Sequence, residues 1–165
     1  MLIVSDTTPI ISLIKIGILE LLKSMYGEII LPEAVYNELI SNPLMSREAE
    51  IIKKSTFLKV TKVENEFAVK LLQKQLNLGT GESEAIVLAD TMKAGLLLID
   101  EKKARGIAES MGINITGTLG ILLDAKRQNR IKKLKPLLDG LIGNNIRISK
   151  KLYNDVLELA NEKNE

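Results

Sequence analysis

Residues 79–100, GTGESEAIVLADTMKAGLLLID, contain the pattern that decides the fold class. The part ESEAIVLADTMKAG predicts a helix, and its apolar residues occupy nearly every side in the middle, which is typical of a buried helix. The run LLLI follows directly, is short and wholly apolar, and ends at Asp100. Such a run predicts a strand that is buried on both faces.

The alternation of helix and strand extends outward from this stretch in both directions. Four further short apolar runs predict strands, and helical segments separate them: LIVS (2–5), EIIL (28–31), FLKV (57–60) and INIT (113–116). Strands that alternate with helices favour an α/β fold with a mostly parallel central sheet flanked by helices. The chain of 165 residues contains no repeat or linker, so we predict a single domain over residues 1–165.

Some local features are predicted from particular residues. Thr8 is the expected N-cap of the first helix, because Pro9 suits the first helical position. Four apolar residues recur at helical spacing and predict the buried face of a later helix: Phe67, Leu71, Leu72 and Leu76. The polar ending NEKNE (161–165) is the one stretch where we expect disorder.

The composition excludes several classes of catalysis. The chain has no cysteine and no histidine, which removes disulfides, thiolate sites, serine–histidine–aspartate hydrolysis and ordinary zinc sites. Any catalysis must use carboxylates, hydroxyls, lysines, arginines or a bound ion. No apolar run approaches the length of a membrane span and the first residues do not form a secretory signal, so we expect a cytoplasmic protein outside the membrane.

Four acids stand at positions where a parallel sheet would collect them. Asp6 directly follows the first predicted strand, Asp100 directly follows LLLI, and function collects at the carboxyl ends of parallel strands. Glu38 and Glu84 lie in helices near the core-facing side, so we expect both to be half-buried. Burying several carboxylates is costly unless a cation compensates their charge, and Mg²⁺ or Mn²⁺ prefers oxygen ligands of this kind.

Each acid also has a purely structural interpretation. Asp6 could stabilise the turn before the first helix, and Asp100 could cap the helix that follows it. Glu38 could be an exposed helical residue, and Glu84 could complement a helix dipole. Glu82 fits the dipole interpretation better than Glu84 and is the weaker candidate ligand. Only the joint placement of these acids favours a metal site.

Four motifs in the same order resemble those of PIN domains: SDTTPIISLIKI (5–16), PEAVYNELI (32–40), GTGESEAIVLA (79–89) and LLLIDEKKAR (96–105). Two later segments, TGTLGILLDAKR (116–127) and KPLLDGLI (135–142), resemble a compact branch of PIN-like proteins related to the VapC toxins. The resemblance covers nearly the whole chain. It implies a three-layer PIN-like fold, an Mg²⁺ or Mn²⁺ site and hydrolysis of RNA phosphodiester bonds by a metal-dependent endoribonuclease.

The resemblance also implies the site residues. The four acids of the family correspond to Asp6, Glu38, Glu84 and Asp100, although the family usually has aspartate where Glu84 stands. Glu82 and Glu101 are weaker candidate ligands beside the third and fourth acids. Polar and basic residues near the first and fourth acids are the expected substrate contacts: Thr8, Lys102, Lys103 and Arg105. A second basic stretch lies between Lys126 and Lys135, and it could attract RNA or form a solvated helix face.

Several alternatives remain open at this point. A catalytically inactive PIN-like module that binds RNA or protein would have the same fold without metal-dependent activity. A phosphotransfer domain with Asp6 as nucleophile would need an aspartate at the position of Thr8. A dinucleotide site is disfavoured because LGTGESEA lacks a preceding strand and the full glycine fingerprint. If the toxin resemblance holds, an antitoxin protein and a second copy of the chain are the expected protein partners.

Overall fold

One parallel sheet organises the computed structural model, which describes residues 1–163. Its five strands are β1 (Ile3–Ser5), β2 (Ile29–Pro32), β3 (Leu58–Thr61), β4 (Leu96–Leu98) and β5 (Ile115–Thr116). Their order across the sheet is β3-β2-β1-β4-β5, and every neighbouring pair is parallel. The chain therefore builds one half of the sheet outward from β1 and then returns to β4 on the other side of it.

Helices connect the strands and cover both faces of the sheet. They are α1 (Thr7–Lys15), α2 (Glu20–Tyr26), α3 (Glu33–Ser41), α4 (Ser46–Lys54), α5 (Glu66–Gln75), α6 (Thr80–Thr91), α7 (Lys102–Ser110), α8 (Thr118–Arg127), α9 (Lys135–Gly143) and α10 (Lys150–Leu159). A 3₁₀ turn spans Pro43–Met45 between α3 and α4. The three-layer α/β fold predicted from the sequence is confirmed.

Successive residues of the central strands supply two different cores. Ile3 and Leu98 pack in a core with α1, α3, α8, α9 and α10, whereas Val4 and Leu97 pack in a core with α5, α6 and α7. Neighbouring residues of a strand point to opposite faces, so a strand with both faces covered must be apolar throughout. This explains why apolar and polar residues do not alternate along LLLI and LIVS before the last residue of each.

The start of α1 differs from the sequence prediction. Asp6 occupies the N-cap position instead of Thr8, and its carboxylate makes no capping hydrogen bond. Pro9 is consequently the third helical residue. The N–H that proline lacks would have no carbonyl acceptor within the helix at that position, so proline is still tolerated there. The carboxylate of Asp6 therefore remains available for another role.

The buried face of α5 was also predicted wrongly in part. Of the four residues expected to form it, Leu72 is buried, while Phe67, Leu71 and Leu76 are exposed. Val69 and Leu72 form the buried side because they meet the core that contains α6. The helix is rotated by part of a turn relative to the predicted apolar stripe, since tertiary contacts decide which apolar residues are covered.

The polar ending of the chain is partly built into the fold, contrary to the prediction of disorder. Glu162 has an exposed fraction of only 2 %, and residues 164–165 lie outside the described residues. Its carboxylate accepts hydrogen bonds from the Leu134 N–H at 2.7 Å and the Lys135 N–H at 3.2 Å, and it pairs with the Lys126 ammonium at 3.0 Å. It thereby joins the chain end to the first residues of α9 and to α8.

These contacts also change the ionisation of Glu162. Burial raises its pKa, but the hydrogen bonds from Leu134 and Lys126 outweigh this effect, so the net pKa lies below its usual range. The carboxylate is therefore the form that the fold favours.

Within residues 1–163 no helix combines the length and the apolarity needed to cross a bilayer.

We expect the variant Glu162→Ala to lower the free energy of unfolding by about 2–3 kcal/mol, because it leaves the Leu134 N–H buried without an acceptor. Glu158→Ala is the matched control, since Glu158 is exposed and its carboxylate pairs at the surface with Lys163. Its effect should stay below about 1 kcal/mol. Urea unfolding measures both, and equal stabilities of the two variants would contradict this role of Glu162.

Candidate active site

Two acids stand together at the carboxyl edge of the sheet. Strands β1 and β4 are neighbours, with Ser5 in register with Leu98, and the Asp6 N–H donates to the Leu98 carbonyl at 2.9 Å. Asp6 follows β1, and Asp100 stands two residues beyond the end of β4. The chain switches from one half of the sheet to the other between these two strands, and ligands of open α/β sheets bind at such switch points.

Asp6 is the most buried of the sequence-predicted acids, with an exposed fraction of 4 %. Burial is the main cause that raises the pKa of its carboxyl to about 7, and the negative charges of Glu82, Glu38 and Asp100 raise it further. A hydrogen bond from the Thr7 backbone opposes this effect. The fold therefore places three other carboxyls close enough to Asp6 to disfavour its ionised form.

Glu38 approaches the same place from α3. It is exposed, although the sequence predicted a half-buried side chain, and its Oε2 accepts a hydrogen bond from the Thr7 hydroxyl at 3.1 Å. A Cβ on Gly81 would lie 3.0 Å from Glu38 Oε2 and 3.5 Å from Asp6 Oδ1. Both carboxylates thus converge on the first turn of α6, at a point where a side chain would crowd Glu38 and contact Asp6.

The residues around this point line a cavity of about 430 Å³, which we call the acidic cavity. Its carboxylates are Asp6, Glu38 and Glu82, and its hydroxyls include those of Thr7 and Thr8. Glu82 is half-buried and also accepts a hydrogen bond from the Gly79 N–H at 3.1 Å, which caps the start of α6. The dipole interpretation and the ligand interpretation of Glu82 are therefore compatible.

Glu84 lies on a different side of α6. Its Oε1 accepts a hydrogen bond from the Ala34 N–H at 3.1 Å, so it caps the start of α3 from a distance. It lines a separate cavity of about 250 Å³ with Lys62 and Lys70, not the acidic cavity. Side chains two positions apart in a helix point in directions that differ by roughly 200° around the axis, so Glu82 and Glu84 cannot both face Asp6. The structure groups Glu82, rather than Glu84, with Asp6 and Glu38.

Asp100 and Glu101 both hold helix ends. The Asp100 carboxylate accepts hydrogen bonds from the Thr118 N–H at 2.7 Å and the Thr118 hydroxyl at 2.6 Å, at the start of α8. Glu101 caps α7 by accepting from the N–H groups of Lys103 and Ala104. The N-cap of α7 is therefore Glu101 and not Asp100, which was the residue that the sequence suggested for it. Glu101 is not among the residues that line the acidic cavity.

The predicted substrate contacts divide into two groups. Thr8 lines the acidic cavity, and Arg105 lies beside Asp100 with its Nη1 donating to the Ile99 carbonyl at 2.9 Å. Lys102 and Lys103 are exposed in the first turn of α7. In the second basic stretch several cations pair within the chain: Lys126 with Glu162, Arg127 with Asp124, and Lys135 with Asp139.

The donor atoms fit a hard divalent cation in chemistry. They are carboxylate oxygens, and Mg²⁺ commonly uses only one or two carboxylates together with water and substrate phosphates. As the side chains stand, no group of three or more acids within the described part of the chain is close enough to hold an ion directly. An ion would therefore need Asp6 as its anchor and a shift of Glu38 or Glu82 toward it.

Sequence reasoning missed three residues that shape the site. Thr7 donates to Glu38, and Gly81 leaves room for two carboxylates. A Cβ on Gly117 would lie 2.5 Å from Asp100 Oδ1 and 2.7 Å from Arg105 Nη1. The glycines in GTGE and TGT were the available signals, because a glycine directly before or within a first helical turn often permits a close approach.

A family model described as a PIN domain matches residues 2–162 of the chain. No curated protein and no solved structure matched. The matched residues include all the acids and both cavities described above.

The burial of Asp6 predicts a specific dependence of stability on pH in metal-free buffer. Its pKa is about 7 in the fold and near 3.8 otherwise, so the folded state binds the proton more tightly and stability falls as pH rises between these values. We expect Asp6→Asn to be more stable than the wild type by on the order of 2–4 kcal/mol at pH 8. The difference should vanish near pH 4.

Urea unfolding with a chelator present measures this difference at each pH. Asp90→Asn is the matched control, because Asp90 is a helical aspartate at the far end of α6 that pairs with Lys93 at the surface. If Asp90→Asn raises the free energy of unfolding at pH 8 as much as Asp6→Asn does, burial of Asp6 is not the cause of the increase.

Proposed function

Because this chain belongs to the PIN-domain family, whose fold is of the nuclease type, we propose that it is a metal-dependent endoribonuclease that hydrolyses RNA phosphodiester bonds at the acidic cavity. One observation carries the proposal. The Asp6 carboxylate is buried at the switch point of the sheet, and Glu38, Glu82 and Asp100 surround it without a cation among the described residues to pair with it. A structural role would not require this repulsion.

The proposed ligand set is Asp6, Glu38, Glu82 and Asp100. It differs from the set that the family resemblance implied, because Glu82 takes the place of Glu84. A Mg²⁺ or Mn²⁺ ion bound there would offset the repulsion between the carboxylates and supply Lewis acidity toward a phosphate oxygen and a water molecule. The ion would interact with Asp6 most strongly, since that carboxylate is the least solvated.

The remaining groups of the cavity are suited to holding a phosphate. Thr8 is an exposed residue in the first turn of α1, where backbone N–H groups point outward and the helix dipole favours an anion. Thr7 fixes Glu38 through its own hydroxyl and so limits the rotamers of that carboxylate. Lys102, Lys103 and Arg105 lie beyond Asp100, and their charge would favour the approach of RNA.

Cleavage of single-stranded RNA should therefore require Mn²⁺ or Mg²⁺ and stop on addition of chelator. We expect Asp6→Asn to fold normally and to lose activity by on the order of 10²-fold or more. Electrophoresis of an end-labelled RNA measures cleavage, and the melting temperature measured with increasing Mn²⁺ reports binding to the native state. Equal cleavage by the wild type and Asp6→Asn would remove this site from the reaction.

A matched pair of variants tests the choice of Glu82 over Glu84. Glutamine keeps the acceptor oxygen that each carboxylate offers to a backbone N–H, so the caps at Gly79 and Ala34 can persist while the charge is lost. We expect Glu82→Gln to lower kcat/KM roughly 10- to 100-fold and to raise the Mn²⁺ concentration required. Glu84→Gln should stay within about threefold of the wild type. The opposite ranking would restore Glu84 as the ligand.

The catalytically inactive module is the second candidate function, and the pairing of both Asp100 oxygens with Thr118 is the observation that favours it. Normal folding with neither cleavage nor a Mn²⁺-dependent melting temperature would establish it. An antitoxin partner, a homodimer and a cytoplasmic location stay predictions of the family resemblance.

A further inference from the structure

A third cavity, of about 570 Å³, adjoins the acidic cavity. Thr8 lines both of these cavities, and Asp100 and Arg105 lie in the wall of the larger one. We call it the arginine cavity. Its volume falls within the range of cavities that bind small molecules and cofactors. Thr8 is the one lining residue that the two cavities share, so the cavities lie side by side.

Most of the surface of the arginine cavity is apolar. The apolar side chains come from β5, α8, α9, α10 and the segment 146–148: Ile115, Leu119, Leu141, Ile146, Ile148 and Leu152. No aromatic residue lines it, so a flat ligand would pack against aliphatic groups rather than stack on a ring. A surface of this kind suits an apolar or weakly polar plane, such as the face of a nucleobase.

Two arginines give the cavity a charge opposite to that of the acidic cavity. Arg105 uses one N–H for the Ile99 carbonyl and has further donors left. Arg147 is exposed and makes no hydrogen bond or ion pair with any residue between 1 and 163. Asp100 is the one carboxylate of the wall, and both its oxygens already accept from Thr118. The free donors of this cavity are therefore suited to an anion with bidentate oxygens, such as a phosphate.

We propose that the arginine cavity binds the nucleotide next to the scissile phosphodiester, with the aliphatic wall against its base and Arg147 and Arg105 against its phosphate. The inference rests on the proposed function for its substrate class and adds a binding subsite with Arg147 as a new contact residue. The adjacency of the two cavities at Thr8 fits a polymer that occupies both at once, whereas a free monophosphate would need the arginine cavity alone.

A fluorescence experiment can test occupancy directly, because the chain contains no tryptophan. Leu152 lines the cavity and is 43 % exposed, so Leu152→Trp places a reporter there, while Leu159→Trp places one on the same helix away from the cavity. The probe is a six-nucleotide single-stranded RNA of mixed sequence, titrated with chelator present so that no cleavage occurs. We expect a saturable change in emission for Leu152→Trp and none for Leu159→Trp.

Arginine variants test the phosphate contact without relying on the reporter. We expect Arg147→Ala to weaken binding of a labelled RNA about tenfold, the amount expected for one charge-assisted hydrogen bond. The slope of log affinity against log salt should fall by about 0.7, as for one phosphate contact on a single strand. Arg147→Lys should recover part of the affinity. Arg47→Ala, at an exposed arginine of α4, is the control and should stay within about twofold.

The outcomes separate this inference from the proposed function. If Arg147→Ala and Arg47→Ala bind RNA equally well and the Leu152→Trp emission does not respond, the subsite is wrong even when the enzyme cleaves RNA normally. Saturable binding that depends on Arg147, in a protein that cleaves no RNA with Mn²⁺, would support the nucleotide site and contradict only the nuclease proposal. In an active enzyme, Arg147→Ala should raise KM with little change in kcat.

Discussion

The pairing of β1 with β4 is the constraint on which the candidate site depends. Residues 6 and 100 are far apart in the chain, and they meet because Ser5 lies in register with Leu98 and the Asp6 N–H donates to the Leu98 carbonyl. A slip of the register by one residue would exchange the two faces of the strand and move Asp6 away from Asp100. The apolar residues of both strands oppose this slip, because Ile3 and Leu98 belong to one core and Val4 and Leu97 to the other.

The site is electrostatically unfavourable by itself, and the surrounding structure holds it in place. Burial and three negative neighbours raise the pKa of Asp6, while hydrogen bonds stabilise the other acids in positions that serve a second purpose. Glu82 caps α6, Glu38 accepts from Thr7, and Asp100 holds the start of α8. Because these contacts are made to backbone and hydroxyl donors rather than to cations, the negative charge is retained at the site.

The C-terminal third of the chain contributes the basic counterpart of the site. Glu162 joins the chain end to α9 and α8, and α9, α10 and the segment between them form much of the arginine cavity. The acidic and arginine cavities meet at Thr8, while Gly117 leaves room for Asp100 and Arg105 to lie close together. An acidic centre beside a basic cavity is the arrangement that a polyanion and a cation can occupy together.

The sequence by itself determined the fold class, because apolar runs of strand length alternate with helices, and it placed Asp6 and Asp100 at strand ends. It also carried the motifs of the family that matched. It could not show whether Glu82 or Glu84 lies beside Asp6. Nor could it show which side of α5 is buried or that Glu162 is buried. Each of these depends on how a helix is rotated or what a distant segment covers, and periodicity gives a face only to within part of a turn. Only tertiary packing fixes that rotation, since a side chain is buried by its neighbours in space.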